Sequence, residues 1–159
     1  MGMGYSSLCV DVKSISDIYN AVSKYLKEFP EEEKWEMVNL SGNEIHATLM
    51  YDKRDPNIDP GIDNTIYTAN VVAFEKMGNP NGNYYALVLV LECEAVQKRF
   101  KQLLDLGFQH SFPDLKLHIS LNYGPSTEIG YRILNKMWEK DLFPKTIKLC
   151  RETWNECKH

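Results

Sequence analysis

An α+β domain assembled from two similar halves is what this sequence predicts, and three observations predict it. Apolar runs with period-two alternation are interleaved with segments of helical periodicity. The order of these elements restarts after Asn79-Pro80-Asn81-Gly82, the strongest turn signal in the chain. Neither half is long enough to bury a secure core alone, so residues 1–159 read as one domain with pseudo-repeat lobes at about 1–78 and 83–159.

The elements follow in order. Tyr5 to Val12 alternates and reads as a strand, with Leu8, Val10 and Val12 on one face and Tyr5, Ser7 and Cys9 on the other. Ser14 or Ser16 caps a helix running to about Phe29 on a stripe of Ile18, Val22, Tyr25, Leu26 and Phe29. Pro30 ends it, and Glu31-Glu32-Glu33 is a solvated charge run. A strand at Ile45 to Tyr51, a Pro/Gly-bearing loop from Lys53 to Asn64 and a β-branched strand from Ile66 to Lys76 complete the first half. In the second half, Tyr84 to Leu91 is a nearly continuous apolar strand, and Glu94 to Leu106 is a helix closed by Gly107. Leu117 to Tyr123 is a strand, Thr127 to Lys140 a capped helix, and Lys145 to about Trp154 a last strand. Trp35 and Trp138 fall at packing positions.

Composition narrows the function classes. The chain is 43% hydrophobic and 25% charged, as expected of a soluble globular protein. A net charge of -4 argues against a surface for duplex nucleic acid, while leaving room for a small anion held by local donors. No apolar run is long enough to span a bilayer, and Met-Gly-Met-Gly-Tyr-Ser is unlike a secretory signal, so a cytoplasmic setting is the expectation. Cys9, Cys93, Cys150 and Cys157 form no C-x-x-C pair and no zinc spacing; they are expected to be reduced and partly buried.

Two of the four histidines open nearly the same tetrapeptide: His46-Ala47-Thr48-Leu49 and His118-Ile119-Ser120-Leu121. Each lies in the third element of its half, and the tails match as well, Thr48-Leu-Met-Tyr51 against Ser120-Leu-Asn-Tyr123. Strand alternation puts His46 with Thr48 on one face and His118 with Ser120 on one face. A lone His-x-Ser/Thr means little; a pair in corresponding places suits phosphoryl chemistry. An imidazole titrates near neutrality, so one ring accepts a proton while its twin donates. The neighbouring hydroxyls donate to phosphate oxygens as charge grows there. No third ligand sits at metal-binding spacing from either ring, so neither a metal nor another cofactor is expected.

These paired motifs, about seventy residues apart in a duplicated frame, resemble the two-histidine (2H) phosphoesterase superfamily. The resemblance implies His46 and His118 as acid/base groups and Thr48 and Ser120 as phosphate ligands. It also implies a bilobal fold in which two antiparallel sheets face a central cleft with helices outside. More narrowly, the compact length and the Leu-Met-Tyr and Leu-Asn-Tyr-Gly continuations resemble the phage anti-CBASS nucleases, which destroy cyclic oligonucleotide immune signals. What that implies is a metal-independent phosphodiesterase acting in the host cytoplasm as a monomer on a cyclic di- or trinucleotide, away from membranes. The reaction would be attack by a 2'-hydroxyl to leave a 2',3'-cyclic phosphate. Two alternatives stand beside it: an RNA-end or 2',5'-phosphodiesterase of the same superfamily, and a nucleotide-binding sponge without turnover.

Strand parity extends the expected cleft face. Tyr5 and Phe74 are candidates for stacking on a base, and Lys116 for the phosphate rim. With Ile147 and Leu149 on the core face, parity turns Cys150, Glu152 and Trp154 toward the cleft. There Glu152 would accept from a base and Trp154 would stack.

Overall fold

The computed structural model describes residues 2–35, 45–82 and 84–157. Among these the elements are β1 (Tyr5–Val10), α1 (Val12–Glu28), β2 (His46–Tyr51), β3 (Tyr67–Gly78), β4 (Tyr85–Glu92), α2 (Glu94–Leu106), β5 (His118–Tyr123), α3 (Thr127–Glu139) and β6 (Thr146–Asn155). The order matches the expectation of two halves with an added helix in the second. One boundary moves: α1 begins at Val12, which is exposed, so Val12 does not share the buried face of Leu8 and Val10. Ser14 does not cap that helix, because its buried hydroxyl accepts the Lys148 N–H at 3.0 Å and ties α1 to β6. None of the three helices is long and apolar enough to cross a membrane.

The six strands form one antiparallel sheet, ordered β1-β2-β5-β4-β3-β6 and closed by pairing of β6 with β1. Exchanging β1 with β4, β2 with β5 and β3 with β6 maps this order onto itself, so the pseudo-symmetry is exact at the level of pairing. The implied pair of separate sheets is therefore corrected to one ring. The reason is an exchange of third strands: β3 pairs with β4, and β6 pairs with β1. Each three-stranded group thus has its edges taken up by the other, and every described strand has a partner on both sides. The two seams differ. β3 and β6 share four register pairs from Tyr67↔Leu149 to Asn70↔Thr146, whereas β2 meets β5 at Ala47↔Ile119 alone.

Four bulges, also pseudo-symmetric, decide which side chains face inward. Leu49 is the extra residue between Ser7↔Thr48 and Ser6↔Met50, and Leu121 the extra one between Val88↔Ser120 and Leu87↔Asn122. Val72 is extra between Val71↔Leu91 and Ala73↔Val90. In β6 two residues, Arg151 and Glu152, stand where β1 has only Leu8, with Arg151 at φ 54° in the left-handed region. An extra residue reverses the in–out parity of everything beyond it.

The core lies under the helices. Leu8, Val10, Ala47, Leu49, Ile119 and Leu121 are buried with Ile18, Val22 and Tyr25 of α1 and with Val96, Phe100 and Leu103 of α2. α3 approaches closely at Gly130, where an added Cβ would lie 2.5 Å from the Trp35 ring and 2.8 Å from Leu87. Trp35 is buried and Trp138 packs edge-on to Phe74, so both serve packing as expected. All four cysteines are free, two buried and two half-buried.

Candidate active site

β2 and β5 carry the two motifs side by side. From His46 to Met50 and from His118 to Asn122 the burial alternation is the same, with Ala47, Leu49, Ile119 and Leu121 in the core and the histidines and hydroxyls half-exposed. Antiparallel pairing at Ala47↔Ile119 sets His46 across from Ser120 and Thr48 across from His118. Directly opposed side chains in such a pair are about 5 Å apart at Cβ and diagonal ones about 7–8 Å, so the two histidines are diagonal neighbours on one face of adjacent strands. All four line a cavity of ≈ 160 Å³ together with Tyr84 and Tyr123. A larger cavity of ≈ 580 Å³ shares Thr48 and His118 with it.

The rings are held differently. His118 Nδ1 lies 2.7 Å from the Lys116 carbonyl, which only accepts, so in the neutral ring Nδ1 carries the proton and Nε2 is an acceptor. His46 Nε2 lies 2.9 Å from the Tyr5 hydroxyl, which also sits 3.4 Å from Thr48 Oγ1. Tyr5 lines the larger cavity, and its polar end is tied to the first motif. Lys116 stands at the rim of the larger cavity, paired with Glu75 at 2.9 Å.

Three expected site residues are elsewhere. Phe74 is buried against Trp138 and Phe143, because the Val72 bulge returns it to the face of Val71. Glu152 and Trp154 point into the core, because the bulge at Arg151 reverses β6. There Glu152 accepts from Arg99 Nε and a terminal nitrogen, each at 2.8 Å, and from Trp154 Nε1 at 2.9 Å. Arg99 also donates to the Pro60 and Gly61 carbonyls and so pins the 53–64 loop. Trp154 stacks on Phe108, centroids 4.8 Å apart.

The same device brings in residues that sequence reasoning missed. The bulges at Leu49 and Leu121 turn Tyr51 and Tyr123 onto the cleft face; the matched tails of the two motifs were the signal for this. Beyond Tyr51 the chain is zipped to the segment after α2. Tyr51 N–H donates to His110 Nδ1 at 3.0 Å, Ser111 N–H to the Tyr51 carbonyl at 2.7 Å, and Gln109 N–H to Asp52 at 2.8 Å. The Arg54 guanidinium, with the Gln109 and Arg54 N–H groups, holds the Asp52 carboxyl below the usual range. His110 and Phe112 are thereby hung over the large cavity beside Tyr51 and Lys53. Burial lowers the His110 pKa from its ordinary 6.5.

Fold and site together define a small α+β protein with two His-x-Ser/Thr pairs facing into one closed antiparallel sheet. The family model for the anti-CBASS protein Acb1 matches residues 10–157, and the chain belongs to that family. Its relatives include the anti-CBASS protein Acb1 of Vibrio phage KVP40, 27% identical over 84 residues, or 53% of this chain and 54% of the relative. That of Escherichia phage RB16 is 30% identical over 91 residues, or 56% and 50%. The chain thus spans about half the length of the curated relatives it matches. Among solved structures, that of Kluyveromyces marxianus Usb1 aligns with 97% of this chain and 93% of its own at a TM-score of 0.49 and 10% identity.

Proposed function

We propose that the chain is a metal-independent phosphodiesterase that opens a 3',5' linkage of cyclic di- or trinucleotide immune signals in the cytoplasm of an infected cell. One observation carries this reading: two imidazoles and two hydroxyls from adjacent strands line a single cavity of ≈ 160 Å³, with room for a phosphate group. One ring takes the proton from a ribose 2'-hydroxyl, which attacks the adjacent phosphorus. The other protonates the departing 5'-oxygen. Thr48 and Ser120 donate to the non-bridging oxygens as their charge rises. The product is a linear species ending in a 2',3'-cyclic phosphate. The nucleophile is delivered by the substrate already in place, which converts attack into an intramolecular step.

Incubation with 3',3'-linked cyclic dinucleotides in excess chelator tests the proposal, with 2',3'-cyclic and 2',5'-linked oligomers alongside. Chelator-resistant linear product from the cyclic substrates alone is the expected result. Cleavage confined to the linear substrates would point to an RNA-end enzyme, and tight binding without product to a sponge.

A further inference from the structure

The two cavities flank the paired motifs with aromatic rings of different character. On one side Tyr84 and Tyr123 meet at 61°, both exposed to solvent. On the other, Tyr51 and Phe112 have centroids 6.2 Å apart and planes inclined by only 32°. A flat base sandwiched between two rings needs about 7 Å, two layers of roughly 3.4 Å each. The ring centroids lie a little closer than that and the planes are inclined, so a base enters between them when Phe112, 61% exposed on a loop, shifts outward. At its edge stands His110, edge-on to Phe112 at 5.6 Å. Because Tyr51 N–H donates to Nδ1, the neutral His110 ring carries its proton on Nε2. On the Tyr123 side the only other lining residues are His46, Thr48, His118 and Ser120, the groups that the phosphodiesterase reading gives to the phosphate.

We propose that Tyr51 and Phe112 clasp the base on one side of the scissile phosphate and that His110 reads an acceptor on its edge, making this the selective subsite and the Tyr84–Tyr123 side the permissive one. The assignment rests on the phosphodiesterase reading for its orientation about a scissile bond; the base-binding slot itself does not. Stacking accepts any base, whereas a fixed donor rewards an acceptor at one place and penalises a donor there.

Two isosteres separate reading from scaffolding. His110→Asn keeps an acceptor where Nδ1 receives the Tyr51 N–H but has no donor at the Nε2 position. His110→Gln restores a donor near that position. The probes are 2'-deoxy forms of cyclic di-AMP, cyclic di-GMP and cyclic di-UMP, whose dissociation constants are measured by calorimetry, with thermal melts for each variant. Phe112→Ala is expected to weaken all three by roughly 5- to 150-fold, the range for losing one stacked base. His110→Asn is expected to level the ranking among the three with its melt unchanged, and His110→Gln to retain it. An affinity change below twofold in Phe112→Ala, or a ranking untouched by His110→Asn, overturns the subsite. So does an absence of wild-type binding to all three probes. Failure of the phosphodiesterase reading shows separately, as base-ranked binding of these probes with no cleavage of the ribose forms.

Discussion

Truncating Glu152 to alanine leaves the Arg99 guanidinium inside the protein without its carboxylate. The side chains of the pair are 0% and 7% exposed, so solvent does not screen the loss. Breaking a buried pair from one side costs about 3–5 kcal/mol. The Trp154 N–H also loses its acceptor, which raises the cost; Asp63, whose charge acts on Arg99, lowers it. The middle of the range, about 4 kcal/mol, is a large share of the 5–15 kcal/mol typical of a whole domain. At a urea m-value of about 2 kcal/mol/M it moves the unfolding midpoint down by about 2 M. Replacing both partners by apolar residues, as Arg99→Met with Glu152→Leu, is expected to recover most of that loss, since no charge is then stranded. Urea titrations of the two single variants and the double variant close the cycle. A midpoint unmoved by Glu152→Ala refutes the buried pair. So does a fall in kcat/KM at unchanged stability, which would return Glu152 to the cleft.

Replacing His46 or His118 with alanine is expected to lower the cleavage rate by about 10²–10⁴-fold with the melting curve intact, and the double variant to lose little beyond that; progress curves at fixed enzyme measure it. Gly130→Ala is expected to destabilise by about 1–3 kcal/mol despite the better helix propensity of alanine, because the methyl overlaps Trp35 and Leu87; urea denaturation decides. Arg151→Gly is expected to stabilise by about 1 kcal/mol, since glycine holds the left-handed bulge position without strain, and a raised melting temperature confirms it. His110 has a folded pKa below its unfolded one, so the unfolded state binds the proton first and stability falls as pH drops through about 6.5; in His110→Asn that part of the pH–stability curve is expected to flatten.

The helices and the order of elements were legible because their signals are local. Helical spacing in Ile18–Val22–Tyr25, the turn at 79–82 and Gly107 after α2 each act over a few residues, and each holds in the folded chain. The paired motifs were legible because both histidines precede their bulges, where parity still runs true. Beyond the bulges parity fails, and it does so at Phe74, Glu152 and Trp154 alike. Nothing in the letters announces those reversals: the left-handed position in β6 holds an arginine where glycine would have been a signal. The contribution of His110 was hidden for another reason. Its place over the cavity is set by hydrogen bonds of residues 109–111 to the Tyr51 N–H, the Tyr51 carbonyl and the Asp52 carboxylate, partners some sixty residues away that carry no shared pattern.

Closure of the ring has a bearing on how the protein is made. Tyr5 pairs with Asn155 and Tyr67 with Leu149, so β6, which follows the other five strands in chain order, seals both the first strand and the third. Until then β1 and β3 each present a bare backbone edge, the kind of template on which nascent chains stick to one another. Productive assembly waits on the ten residues of β6, and deleting them would expose two sticky seams at once.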